Sequence, residues 1–274
     1  MSNLTLEITP PASRRPAVLL RRARALEPLT RRINVIQRPE RWPSLEASIA
    51  LREHGYEPVW HLANRGRSVG HIEAEIGLAR EAGIRDVLCI RGEHKAEDGV
   101  DTPKIREVVR LLGRLHPVAR VAVTLNHHVR SSRVFENLHA KLEAGARAVQ
   151  TQVTFDLESL RPFAERIASE HPGVALTPML MPVLSARAAV RLSRRLAIPL
   201  PAGLLHRLEV FGEDAGWDHF REFASAVVRS GLYDGLAVMT PIDPSPAFGE
   251  RLRETLSDAR RGGSIRPSTR PSRQ

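Results

Sequence analysis

Along the chain, short apolar and β-branched runs alternate with longer stretches in which apolar side chains recur at intervals of three and four. The short runs cover residues 5–9 (TLEIT), 32–37 (RINVIQ), 58–62 (PVWHL), 86–91 (DVLCIR), 120–124 (RVAVT), 148–152 (AVQTQ), 174–179 (VALTPM) and 235–240 (GLAVMT). Their composition predicts strands. The longer stretches, 17–26, 44–54, 70–82, 103–115, 131–144, 157–170, 185–196 and 218–230, have helical periodicity. Gly55, Gly83 and Gly145 each stand just past a predicted helix, where a left-handed cap costs a glycine least.

The first seven runs begin roughly thirty residues apart, the length of a strand, a helix and two short loops. Strict alternation of this kind demands a parallel sheet with helices outside it. Eight units favour closure into a single α/β (β/α)8 barrel of the TIM type, and 274 residues suit one such domain. An open doubly wound sheet would usually place a glycine-rich phosphate loop after the first strand, where this chain has Pro10-Pro11. The expected division is a barrel over residues 1–258 and a disordered Arg-rich tail over 259–274.

Composition sharpens this picture. Hydrophobic residues make up 42% and charged residues 26%, enough to build a core. The longest uncharged, mostly apolar stretch, residues 174–186, contains two prolines and is shorter than the ~20 residues of a membrane-spanning helix. No membrane association is expected. The opening MSNLTLEITPP has no basic segment followed by an apolar one, so a cytoplasmic location is expected. The net charge is +10, and half of it comes from the five arginines beyond Asp258. Aromatic residues are only 4%, which argues against a nucleic-acid partner and for a small polyanionic ligand. The single Cys89 lies in an apolar run and reads as a small buried hydrophobe.

In a barrel of this type the chemistry sits at the carboxyl ends of the strands. Glu7, between Leu6 and Ile8, is expensive to bury unless it faces the mouth, where a raised pKa would make it a general acid; a salt bridge inside the barrel is the alternative. His61 ends the third strand, as a site residue or as a satisfied core histidine. Arg91-Gly92-Glu93-His94 follows the fourth strand, combining an anion clamp with a hydrogen-bond acceptor. Gln150 and Gln152 share one face of the sixth strand, with Gln152 nearer the mouth. Lys141 precedes a helix stop, where it would bind phosphate or complement the helix dipole. His127-His128 are adjacent and cannot easily share one ion, so no metal site is expected. Ser131, Ser132 and Ser185 sit at helix starts and read as caps.

The ordered set LEITPP (6–11), INV (33–35), EPVWHL (57–62), GIRDVLCIRGEH (83–94), KLEAGARAVQTQVTFD (141–156) and TPMLMPV (177–183) resembles the methylenetetrahydrofolate reductase family over about residues 4–245. The resemblance implies reduction of 5,10-methylenetetrahydrofolate to 5-methyltetrahydrofolate, with NAD(P)H reducing bound FAD. It implies Glu7 as the acid toward folate N10, Glu93 as a catalytic and folate-binding residue near the pterin and flavin, Gln152 hydrogen-bonded to folate, and His61, Arg91 and Lys141 at the flavin. Ile36, Thr124 and Val134 stand where the family commonly differs, and Glu93 replaces an aspartate. These departures leave open a flavin-independent enzyme taking hydride directly from NAD(P)H, and a non-catalytic folate-binding barrel. Assembly into a homo-oligomer is also left open.

Overall fold

A computed structural model describes residues 3–93, 100–129 and 131–262. His94 and residues 263–274, which include most of the expected tail, lie outside the described residues. Eight strands close into a parallel barrel in chain order, so the architecture is the expected (β/α)8 barrel. The strands are β1 (Asn3–Ile8), β2 (Arg32–Val35), β3 (Glu57–Ala63), β4 (Asp86–Ile90), β5 (Arg120–Leu125), β6 (Ala148–Val153), β7 (Ala175–Leu180) and β8 (Gly235–Met239). The helices between and after them are α1 (Pro16–Arg24), α2 (Ser44–Glu53), α3 (Val69–Glu81), α4 (Ile105–Leu115), α5 (Arg133–Glu143), α6 (Arg161–Glu170), α7 (Ala186–Leu196), α8 (Leu204–Ser230) and α9 (Pro246–Gly262).

The two faces of each strand have separate duties. Side chains pointing outward, such as Trp60, Leu62, Val87, Cys89, Val121, Val123 and Val149, pack against helices in one extended apolar cluster. A second cluster joins β1, β2 and β8 to α1, α2, α8 and α9. Closure is direct, since β1 pairs with both β2 and β8, setting Glu7 beside Asn34 on one side and Met239 on the other. At the amino ends of the strands, Asp86 accepts from Arg32 at 2.8 Å and from Arg120, tying β2, β4 and β5 together. Gly55, Gly83 and Gly145 all have positive φ, as their positions past helices require.

Three features depart from the expected pattern. β2 stops at Val35 rather than continuing to Gln37, because the Gln37 Oε1 turns to accept the Ser44 amide at 2.9 Å, fixing the entry to α2. α9 runs past Asp258 to Gly262, and Ala259 is buried in the second cluster, so residues 259–262 extend the barrel's last helix. Finally, α8 starts fourteen residues before the expected 218 and breaks at Gly212, whose φ of 61° and ψ of −139° are not helical.

This break explains an unusual placement. α7 and the first turns of α8 form a third cluster with Val153, Phe155, Met179 and Val183 at the carboxyl ends of β6 and β7. The part of α8 beyond Gly212 packs on α9 and takes the seventh place in the outer ring, burying Trp217, Phe220, Ala224 and Val227. Gly216 permits the close approach, because a Cβ there would lie 2.1 Å from the Val183 carbonyl oxygen. The helix expected over 185–196 is thus present, but over the barrel's mouth.

Candidate active site

Inward-facing residues at the strand ends enclose a cavity of about 290 Å³, whose lining includes Glu7, Arg38, His61, Glu93, Gln150 and Gln152. β1 delivers Glu7 because Leu6 and Ile8, each fully buried, must face the helices and the strand alternation turns Glu7 inward. Glu7 is 5% exposed, and burial pushes its carboxyl up to about 7, with Arg38 pulling the other way. A carboxylic acid that keeps its proton near neutral pH can hand it to a basic nitrogen.

His61 lies in the same cavity. Burial lowers its pKa to about 3, so the imidazole is neutral, and its Nε2 has no partner among the described residues. An orphaned buried nitrogen at the cavity wall is a ready hydrogen-bonding position for a heterocycle. Gln150 accepts from Asn34 Nδ2 at 2.8 Å across the barrel, which fixes its carboxamide. Gln152, which lines the cavity, accepts the Val153 amide on its Oε1 at 2.9 Å. A register shift between Gln150 and Val153 in the pairing with β7 brings Gln150, Thr151 and Gln152 together at the wall.

Glu93 is exposed at the rim, where Arg195 of α7 approaches it at 3.8 Å. The turn that carries it needs Gly92, with φ of +81° and a would-be Cβ 2.8 Å from that of Ala63. Arg38, half-buried at the same rim, is held down by burial and by Arg195 and pulled up by Glu93 and Glu7.

Arg91 and Lys141 do not join this group. They line a neighbouring groove of about 630 Å³ together with Asn64, Arg65, Lys104 and Arg106. Thr124 borders both spaces. Lys141 is largely buried, which lowers its pKa, and its Nζ donates to the Thr124 carbonyl at 3.1 Å. Asn64 is buried with an unpartnered Oδ1. Five cations and an orphaned acceptor suit the pyrophosphate and ribose of a dinucleotide.

The sequence did not single out Asn34, Arg38, Asn64, Arg65, Lys104, Arg106 or Arg195. Asn34 was hidden inside the INV run, and the arginines were not distinguishable from an arginine-rich surface.

The remaining candidates lie outside the cavity and the groove. Cys89 is fully buried, and burial pushes its thiol up to about 12. His128 is bound to the Val153 carbonyl at 2.8 Å, and His127 packs against it with burial lowering its pKa to about 4. Ser185 caps α7 by accepting the Ala188 amide. Ser132 occupies the N-cap of α5 without a side-chain bond. Near the carboxyl ends of α5 and α6, His139, Glu170 and His171 cluster, with the two imidazoles hydrogen-bonded at 2.9 Å. Among the described residues, no helix is long and apolar enough to cross a membrane.

The chain is similar to known proteins over most of its length. Residues 2–227 match the family model described as methylenetetrahydrofolate reductase. A 137-residue segment is 26% identical to the 5,10-methylenetetrahydrofolate reductase of Escherichia coli (strain K12), covering 48% of this chain and 46% of that protein. The protein of the same name from Shigella flexneri matches to the same extent, 26% over 137 residues. The chain spans about half the length of the curated relatives it matches. With the family match running from β1 into α8, across all the strands that carry the cavity except β8, the chain belongs to the methylenetetrahydrofolate reductase family.

Proposed function

We propose that the chain is an oxidoreductase that reduces 5,10-methylenetetrahydrofolate to 5-methyltetrahydrofolate. The observation that carries this reading is Glu7, a buried carboxyl with a pKa of about 7 at the wall of a cavity that also holds Gln152 and the neutral His61. Gln152 Nε2 and Glu93 orient the pterin, and Glu7 donates its proton to folate N10. The N10–methylene bond breaks, and the electron pair of N5 makes an N5 iminium. Hydride addition to the methylene carbon then gives the N5-methyl group, so one hydride and one proton are consumed per product. Burial of Glu7 favours this step, because it holds the proton at an affinity suited to the transfer near neutral pH.

A bound dinucleotide supplies the hydride, and FAD reduced by NAD(P)H is the first choice. Arg65, Arg91, Lys104, Arg106 and Lys141 fit its pyrophosphate, and Thr124 joins their groove to the cavity. A second reading, direct transfer from NAD(P)H without flavin, is favoured by two residues. Ile36 presents an apolar side chain to the cavity, and Val134 packs against the core, so neither offers a polar contact to a flavin.

The test is anaerobic incubation with methylenetetrahydrofolate and NADH or NADPH, with and without added FAD, with product identified by mass. Formation of 5-methyltetrahydrofolate supports the reading, and the need for FAD separates its two forms. Folate binding without any methyl product under all these conditions would instead make the chain a non-catalytic folate-binding barrel. A cytoplasmic location is part of the same proposal.

A further inference from the structure

At the end of the barrel away from the cavity, α5 and α6 bring together a second group of chemically capable side chains. Helices of a (β/α)8 barrel run back against their strands, so the carboxyl ends of α5 and α6 lie by the amino ends of β6 and β7. There one donor atom from each of His139, Glu170 and His171 falls within 4.8 Å of the other two. His139 projects from the carboxyl-terminal half of α5, Glu170 is the final residue of α6, and His171 is its C-cap. His139 Nδ1 and His171 Nε2 stand 2.9 Å apart, so one ring donates its proton to the lone pair of the other. The two histidines are 32 positions apart in sequence, and it is the packing of α5 beside α6 that makes them neighbours.

The surroundings hold the group in place. The His171 side chain is 8% exposed, its amide donates to the Ile167 carbonyl at 2.9 Å, and its carbonyl accepts the Val174 amide at 3.1 Å. The other nitrogen of its ring, Nδ1, has the Glu143 carboxylate 3.9 Å away. An acid on that side is the usual outer partner of a histidine that ligates a metal through its opposite nitrogen. Arg166 Nε donates to Glu170 Oε1 at 2.6 Å while its guanidinium lies 3.7 Å over the Phe135 ring of α5, which anchors the Glu170 carboxylate. His139 and Glu170 are exposed, so ions reach the group from solvent.

We propose that His139, Glu170 and His171 form a binding site for Zn2+ that ties α5 to α6. Two imidazoles and a carboxylate are a zinc ligand set, and bonds of about 2.0–2.2 Å put tetrahedral donors roughly 3.3–3.5 Å apart. The two imidazole nitrogens need to separate by only about 0.4 Å, and the exposed carboxylate to turn inward, with water in the fourth position. The ion takes the place of the shared proton. That proton moves to the far nitrogen of its own ring, so both rings stay neutral and both present a lone pair.

The test titrates ZnCl2 into the full chain, freed of metal by chelation, and follows calorimetric heat and thermal melting. The wild type is expected to bind one Zn2+ with a dissociation constant of about 1 μM, weaker than a four-ligand structural site. At about 100 μM Zn2+ its melting temperature is expected to rise by about 5 °C, as linkage to a site on the folded chain requires. Mg2+ at the same concentration is expected to change neither reading, because it prefers oxygen ligands. His139→Gln replaces an exposed helical residue and is expected to leave the fold intact, weaken Zn2+ binding at least tenfold and remove the melting shift. Glu170→Gln is expected to weaken binding in the same direction. Co2+ in place of Zn2+ is expected to give the intense visible absorption of a tetrahedral ion in the wild type and to lose it in His139→Gln.

Zn2+ binding by the wild type weaker than about 100 μM, an affinity unchanged by His139→Gln, or an equal response to Mg2+ would each overturn the inference. None of these outcomes bears on the folate reading, because the cavity shares no residue with this group.

Discussion

Arg195 of α7 and Glu93 of the turn after β4 approach to 3.8 Å, so the rim is spanned by a contact between two elements far apart in sequence. Both side chains are more than half exposed, which makes the pair weak as a source of stability but available to a ligand. Glu93→Gln is expected to raise the KM for methylenetetrahydrofolate several-fold with little change in kcat, because an exposed orienting group contributes to binding in ground and transition states alike. Steady-state kinetics checks this, and a fall in kcat with unchanged KM would place Glu93 in the chemical step instead.

Glu7→Gln should show the opposite split. Loss of a general acid costs about 10²- to 10⁴-fold in turnover, while folate affinity is expected to stay close to that of the wild type. Wild-type kcat is expected to decline as pH rises through about 7, where Glu7 loses its proton, and the residual rate of the variant to lack that limb. A variant within a few-fold of wild type would remove Glu7 from the role.

The same carboxyl makes the fold pH-dependent. Its folded pKa of about 7 lies above the ordinary 4.5, so the folded state binds the proton more tightly than the unfolded chain. Its favourable contribution is complete below pH 4.5 and is lost as pH rises to about 7. Glu7→Gln is therefore expected to be more stable than wild type above neutrality, by up to about 3 kcal/mol, and equal to it in acid. Urea unfolding at the two extremes measures the difference; equal stability at both would show that Glu7 is solvated.

Gly92→Ala would test the turn that presents Arg91 and Glu93. The positive φ alone costs about 1–2 kcal/mol for an L residue, and the added methyl would crowd Ala63. A lower melting temperature together with a raised KM for folate is expected. Unchanged KM would mean that the turn can shift without moving its flanking side chains.

At the other end of the barrel, Asp86→Ala removes the buried acceptor shared by Arg32 and Arg120. A loss of roughly 1.5–3 kcal/mol is expected, the range for hydrogen bonds to charged groups. Turnover per folded molecule should be unchanged, because the cluster lies at the amino ends of the strands. Chemical denaturation and active-site titration separate the two effects.

Much of the architecture is written in local patterns. Runs such as DVLCI cannot be amphipathic helices, and glycines such as Gly83 mark helix ends through their positive φ. Glu7 was legible for the same reason, since an acid flanked by Leu6 and Ile8 in a strand has only the barrel interior to face. The position of α7 was not legible. Periodicity fixes that a segment is helical but not which surface it packs on, and the deciding contacts are those of Gly216 with Val183 and of Leu204 and Leu208 with the ends of β6 and β7. The division of the site residues between cavity and groove was equally hidden, because Arg91 and Glu93 are two positions apart in sequence yet line different spaces.

Joining β8 to β1 also sets when the acid becomes an acid. The Thr240 hydroxyl donates to the Glu7 carbonyl across 233 positions of sequence, and Met239 lines the cavity beside it. Without that pairing Glu7 would lie on an open sheet edge and would lack the burial that raises its proton affinity. Its reactivity thus depends on the most non-local strand pairing of the barrel, a kind of contact that is slow to form. A chain with β8 undocked would therefore lack both the Met239 wall of the cavity and the buried environment that keeps Glu7 protonated near neutral pH.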